Sequence, residues 1–360
     1  ALHSGTTTVL DYLYPPLDIE RYRAVTQAWS DLGLRSIVGL GLTDTGEQYG
    51  LPAYLFESVE DALVKWDRLT AELASNRLGF ALAPAIAFGI TREGLDAMRA
   101  YATERGMLIS LHTNETPDDD RAILAERGQR TVPYLEDIGF WGPDVLAVHC
   151  VCMQPEDIEI LSRYGVKVSH NPISNMYLGS GVAPVVEMRR AGLTVGLATD
   201  GAASNNSQDM IETMKLAGLI QKLAHTDPSV ITAADVLDMA TIEGAHALGR
   251  EQHLGSLEPG KQADLFVLSP TGAKAVPVLD PAATLAFSAG EENVLTTVVA
   301  GQVLLDEGQV TTVDEGALLH ECQAAAWDLA HRAGTTGLLR PSLQELSRKE
   351  RANKAHRVGT

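Results

Sequence analysis

From residue 7 to about residue 250 the chain alternates short β-branched or aliphatic runs with helix-length amphipathic stretches, and that rhythm admits few folds. Strands joined through helices pair in parallel, and a parallel sheet covered by helices is either a closed barrel or a doubly wound open sheet. Seven runs read as strands, at residues 7–11, 35–40, 79–84, 108–112, 145–149, 166–170 and 194–200. Seven parallel units approach the eight of a TIM-type (β/α)8 barrel. No glycine-rich dinucleotide loop follows the first strand, which makes the open sheet the weaker alternative. Ser58 sets a cap and early acids ahead of Ala62, Leu63, Trp66 and Leu69, and Pro155-Glu156-Asp157 opens another helix. The chain starts with Ala1 directly before its first strand, so the missing strand is expected upstream.

After Gly249 the rhythm changes. Leu257-Glu258-Pro259-Gly260-Lys261 reads as a turn, residues 263–268 as a strand, and 294–299 with 303–305 as a hairpin. The expected division is a barrel lacking its first strand at 1–255, a small partial β-sandwich at 256–312, and a C-terminal helix with a mobile basic tail at 313–360. The helix carries an apolar stripe of Leu318, Leu319, Cys322, Ala325, Trp327 and Leu329.

The chemistry collects at the strand ends. Period-two alternation turns Ser110 and His112 to one side of their strand, and the next three strands close on His149, His170 and Asp200. In a parallel barrel these ends meet on one rim, where active sites of this architecture lie. Each residue alone has a plainer reading: a strand-end histidine is more often structural, and Asp200 could cap a helix. Four together favour a site. Imidazole nitrogen and carboxylate oxygen are the donors expected around Zn²⁺ or Fe²⁺, which lower the pKa of bound water to about 7. Glu115, three residues beyond His112, can swing to the same rim as a proton shuttle, although an exposed loop carboxylate would look the same.

Composition narrows the partners. Forty-seven Asp and Glu against 28 Lys and Arg give a net charge of −19, which repels phosphate backbones and anionic membranes. Nucleic acid is excluded as a partner. Apolar residues make up 45% of the chain, enough for a large core, yet no run is long enough to span a membrane. Three cysteines, Cys150, Cys152 and Cys322, do not make a disulfide framework, and a reducing cytoplasm fits them best.

Two stretches carry a resemblance. Ser169-His170-Asn171-Pro172-Ile173-Ser174-Asn175-Met176-Tyr177-Leu178-Gly179-Ser180-Gly181 and Thr199-Asp200-Gly201-Ala202-Ala203-Ser204-Asn205-Asn206 resemble the amidohydrolase superfamily. The similar branch holds the S-adenosylhomocysteine and methylthioadenosine deaminases, guanine-type deaminases and triazine hydrolases. Ser4-Gly5-Thr6-Thr7-Thr8 resembles its second barrel strand, and Pro259-Gly260-Lys261-Gln262-Ala263-Asp264-Leu265 its return into a small sandwich. The resemblance implies one divalent metal, Zn²⁺ or Fe²⁺, held by His112 and Asp200, with Asp200 also taking a proton from the attacking water. It gives Glu115 the delivery of that proton to a ring nitrogen, and His149 a hydrogen bond to the attacked centre. Glu115, His149 and Asn175 would touch substrate, and His170-Asn171 would shape the pocket loop. A homodimer is the family expectation.

Two departures qualify it. The family's first strand carries a His-x-His pair that supplies two further ligands, and no His-x-His occurs in these 360 residues. A truncated chain is the expectation that follows. In the fourth family strand adenosine-type members place a histidine after the proline, where this chain has Pro84-Ala85-Ile86-Ala87-Phe88, and that weighs against a nucleoside. The leading expectation is deamination of a purine, pterin or triazine ring. A triazine dechlorinase or alkylaminohydrolase is its rival, and a catalytically dead truncated chain is the third reading. Trp141, Phe88 and Tyr177 are candidates to stack on a ring, and Met176 and Leu178 are expected to pack.

Overall fold

The structure, a computed structural model, describes residues 1–13 and 17–338. Seven parallel strands follow one another in chain order across one sheet: β1 (Thr8–Asp11), β2 (Arg35–Leu42), β3 (Leu78–Pro84), β4 (Ile109–Thr113), β5 (Val145–His149), β6 (Lys167–His170) and β7 (Val195–Leu197). The helices between them are α1 (Ile19–Leu32), α2 (Val59–Leu73), α3 (Arg92–Arg105), α4 (Pro117–Arg127), α5 (Thr131–Asp137), α6 (Pro155–Arg163), α7 (Pro172–Leu178) and α8 (Val185–Arg190). After β7 come α9 (Ala202–Asn205), α10 (Met210–His225), α11 (Ala233–Ala240), α12 (Ile242–Ala247) and α13 (Pro281–Phe287). This is the expected barrel wall, seven strands curled with helices outside. Among the described residues, β1 and β7 each have a pairing partner on one side only.

The local sequence explains the elements. All five residues of β5, Val145-Leu146-Ala147-Val148-His149, are buried, as a parallel strand covered on both faces requires. In α2 the Ser58 side chain accepts from the Asp61 N–H, and Ala62, Trp66 and Leu69 recur at helical spacing on the buried face. Trp66 is wholly buried beside Tyr101. Tyr22 enters the same core, and its hydroxyl accepts the Gly41 N–H at 3.0 Å.

A second sheet, antiparallel, orders as β11 (Gln309–Val310), β10 (Gln302–Asp306), β9 (Val294–Val299) and β8 (Leu265–Leu268). This sheet is the small β appendage expected after the barrel. It belongs to one compact unit with the barrel, residues 1–312. Arg35 at the foot of β2 makes a two-pronged ion pair with Asp264, both contacts at 3.0 Å, and Asp264 also accepts the Ala300 N–H. Gly5, at φ 79°, lies under the Phe266 ring, where a Cβ would stand 2.6 Å from the ring carbon Cγ.

A second unit begins at Val313, and its described α-helix is α14 (Glu315–Arg332). No residue of α14 is buried: its apolar stripe, including Leu319, Trp327 and Leu329, is exposed. The basic tail expected at the C-terminus lies, from residue 339 on, outside the described residues.

Candidate active site

The carboxyl ends of β4, β5 and β7 bring four ionisable side chains together. Register pairs Thr113 with His149, so His112 and His149 stand at neighbouring rim positions, and their rings stack with centroids 5.2 Å apart. The backbone leaves the strands through unusual conformations: Asn114 (φ 48°), His149 (φ 71°), Cys150 (φ 50°) and Asp200 (φ 62°) are all left-handed. Residues other than glycine held there cluster at functional sites. Just past β4, the Asp119 carboxylate accepts the N–H groups of Glu115, at 2.7 Å, and Thr116, at 3.3 Å, and so fixes where Glu115 leaves the loop.

Both rim imidazoles are anchored through Nδ1. The Nδ1 of His112 lies 2.8 Å from the Ala85 carbonyl oxygen, and that of His149 lies 2.9 Å from Oδ1 of Asn175 on α7. A carbonyl or amide oxygen only accepts, so in each ring Nδ1 carries the proton. In His149 this turns Nε2 toward the carboxylates, 3.5 Å from Glu115 Oε2 and 3.8 Å from Asp200 Oδ2. Glu115 Oε1 accepts from the Ser180 hydroxyl at 3.2 Å.

The electrostatics suit a cation. Burial, reinforced by the neighbouring His149, pushes the His112 pKa down to about 4, so its ring is neutral at pH 7. Burial pushes Asp200 upward, but the Ser174 hydroxyl, the Gly201 N–H and the two imidazoles outweigh it and hold the carboxyl below its ordinary value. A neutral imidazole whose Nδ1–H is engaged by a carbonyl is the form in which histidine binds a metal through its other nitrogen, and an ionised carboxylate stands nearby. His112 and Asp200 therefore fit two donor positions of a divalent metal. Among the described residues, no group of three or more His, Cys, Asp or Glu side chains is arranged to hold a metal ion by itself.

The remaining candidates divide. His170 is buried, and neither ring nitrogen finds a partner; burial, with His149 beside it, lowers its pKa to about 3. Trp141 is not a stacking platform: it is buried against Phe140, with Nε1 donating to the Val132 carbonyl. Phe88 meets Tyr49 edge to face, and Tyr177 is exposed. Met176 and Leu178, expected to pack, are exposed as well, because α7 turns Ser174 and Asn175 inward instead. Sequence reasoning missed Ser180 and Tyr12, whose ring meets His112 edge to face at 4.5 Å. It missed Asp119 as well, although an acid three residues after Thr116 is a capping signal that could have found it.

The chain is similar in sequence and in fold to known proteins. Residues 1–304 match the amidohydrolase family. The chain is 36% identical over 331 residues to a 5′-deoxyadenosine deaminase of Methanopyrus kandleri, covering 91% of this chain and 73% of that protein. It is 38% identical over 328 residues to a 5-methylthioadenosine/S-adenosylhomocysteine deaminase of Desulforudis audaxviator, covering 90% and 73%. Among solved structures, an adenosine deaminase of Xanthomonas campestris with bound zinc superposes with a TM-score of 0.83 at 28% identity, covering 92% of this chain and 73% of that one. Atrazine chlorohydrolase of Arthrobacter aurescens TC1 complexed with zinc gives a TM-score of 0.85 at 27% identity, covering 90% and 73%. The barrel wall, the strand-end residues and these matches agree: the chain belongs to the amidohydrolase family of metal-dependent hydrolytic enzymes.

Proposed function

We propose that the chain deaminates a 6-aminopurine nucleoside of the 5′-deoxyadenosine or methylthioadenosine kind. The observation that carries the reading is His149 Nε2 within 3.5 Å of Glu115 and 3.8 Å of Asp200, which gathers an acid, a base and a hydrogen-bonding group around one point. His112 and Asp200 would hold a divalent metal, taken as Zn²⁺ because two structural neighbours contain zinc. When bound, such a cation makes water acidic enough to attack near neutral pH. Asp200 accepts the proton that the attacking water gives up. Glu115 supplies a proton to the ring nitrogen beside the attacked carbon, which makes that carbon a better electrophile. His149 Nε2 hydrogen-bonds the oxygen added there, and Asn175 holds His149 in register. The proton held by Asp200 then passes to the amino group, the carbon–amino bond breaks and ammonia leaves, while the proton of the added oxygen returns to Glu115 and the ring keeps that oxygen as a carbonyl.

The Ala85 position weighed against a nucleoside, but the relatives named 5′-deoxyadenosine or 5-methylthioadenosine/S-adenosylhomocysteine deaminases are 34–39% identical, against 27% for the triazine hydrolase. Three unpaired cysteines support a reducing compartment, the cytoplasm, and among the described residues no helix is long and apolar enough to cross a membrane. The test is ammonia release by the full chain with added Zn²⁺, run over 5′-deoxyadenosine, methylthioadenosine, pterins and aminotriazines, with chloride release from atrazine in parallel. Turnover of the nucleosides is expected. Chloride release without nucleoside turnover would move the assignment to the dehalogenating reaction.

A further inference from the structure

Tyr12 sits just past β1 and reaches across to the ends of two other strands. Its hydroxyl donates to the Pro84 carbonyl at the end of β3 and lies 3.2 Å from the Ala85 carbonyl oxygen. The same Ala85 oxygen receives the Nδ1–H of His112 at 2.8 Å. The Tyr12 ring meets the His112 ring at 87° with centroids 4.5 Å apart, and Ile86 is bridged to His112 through the backbone. One tyrosine thus touches the imidazole and also the peptide that fixes the imidazole's tautomer.

We propose that Tyr12 is a positioning residue for His112, holding the Ala85 carbonyl in place through its hydroxyl and the imidazole plane through its ring. The one hydroxyl hydrogen is shared between the Pro84 and Ala85 carbonyls, and the two lone pairs of the Ala85 oxygen leave room for the His112 Nδ1–H beside it. The tyrosine O–H keeps the 84–85 segment from turning away, so the His112 Nδ1–H keeps its acceptor and Nε2 keeps its direction. The edge-to-face contact opposes rotation of the imidazole about its Cβ–Cγ bond. Groups that orient a metal-binding histidine in this way typically change metal affinity 10- to 100-fold when removed. The inference rests on reading His112 as a metal donor.

The test uses the full 360-residue protein with ¹⁵N-labelled histidine, as wild type, Tyr12→Phe and Tyr12→Ala, with the His112 signals assigned by their loss in His112→Gln. Nitrogen–proton correlation spectra report the tautomer, and a Co²⁺ titration reports affinity at His112. Wild type is expected to show one Nδ1–H tautomer. Tyr12→Phe should bind Co²⁺ about 10-fold more weakly with an unchanged melting midpoint, and Tyr12→Ala more weakly still with a mixed tautomer. Both variants within twofold of wild type, with the His112 spectrum unaltered, would overturn the proposal. If Co²⁺ never perturbs His112 in wild type, the metal reading fails by itself. The tautomer comparison then still decides Tyr12: a mixed His112 tautomer in the variants supports positioning, and an unchanged one rejects it.

Discussion

Asn175 Oδ1 lies 2.9 Å from His149 Nδ1, and this bond decides which nitrogen of the imidazole faces Glu115 and Asp200. Asn175 is buried at the first turn of α7, so the side chain has little freedom to be replaced by solvent. Replacing it with alanine leaves the Nδ1–H without its acceptor and lets the ring turn over. Asn175→Ala is expected to lower kcat by about 10- to 100-fold, the usual effect of losing an orienting partner, with KM changed far less. Steady-state kinetics on the nucleoside substrate check it; a KM effect with kcat intact would place Asn175 against the substrate instead.

Glu115→Gln keeps the shape and an oxygen for the Ser180 hydroxyl but cannot carry a proton. The expected loss in kcat is about 10²- to 10⁴-fold, the range of general acid–base catalysis. Thermal unfolding should be unaltered, since Glu115 lies at the rim and Asp119 holds its backbone N–H whichever side chain follows. A variant that turns over at the wild-type rate would remove Glu115 from the proton path.

Two donors, His112 and Asp200, form the metal site proposed for this chain, with no group of three among the described residues. Metal affinity should accordingly be modest. After dialysis against chelator, elemental analysis is expected to find well under one equivalent of zinc, with activity restored by added Zn²⁺ and abolished in His112→Asn. Stoichiometric zinc surviving the chelator would contradict a two-donor site.

The pair Arg35–Asp264 is the prediction for stability. Asp264 is 3% exposed and Arg35 is 12% exposed, so removing the acid strands a guanidinium away from water and frees the Ala300 N–H as well. Asp264→Ala is expected to cost about 3–5 kcal/mol in denaturant unfolding, and Asp264→Asn less. A loss below 1 kcal/mol would show that water replaces the partner there.

The barrel was legible because parallel strands buried on both faces read as apolar runs, and β5 falls on the expected residues 145–149. The seventh strand was read too long. After Leu197 only the Ala198 N–H bonds on to His170, and at Asp200 the chain turns left-handed, which side-chain hydrophobicity does not encode. The C-terminal helix forms as α14, yet Leu319, Trp327 and Leu329 on it are exposed, because periodicity suggests a face and not what covers it. At the site, the strand-end residues could be read from alternation, whereas Tyr12 is 100 positions from His112 and Ser180 is 65 from Glu115. Contacts of that span depend on how the strands fan out.

The left-handed peptides at Asn114, His149, Cys150 and Asp200 bear on how this protein answers to selection. Each such peptide stores on the order of 1–3 kcal/mol, and the sheet beneath them must overpower that tension for the rim to keep its shape. Glycine at Cys150 would relax part of it, at the cost of a cavity where the wholly buried thiol packs, while loosening the residue that follows His149. Breeding this enzyme for heat resistance and breeding it for turnover should therefore pull the same few peptides in opposite directions.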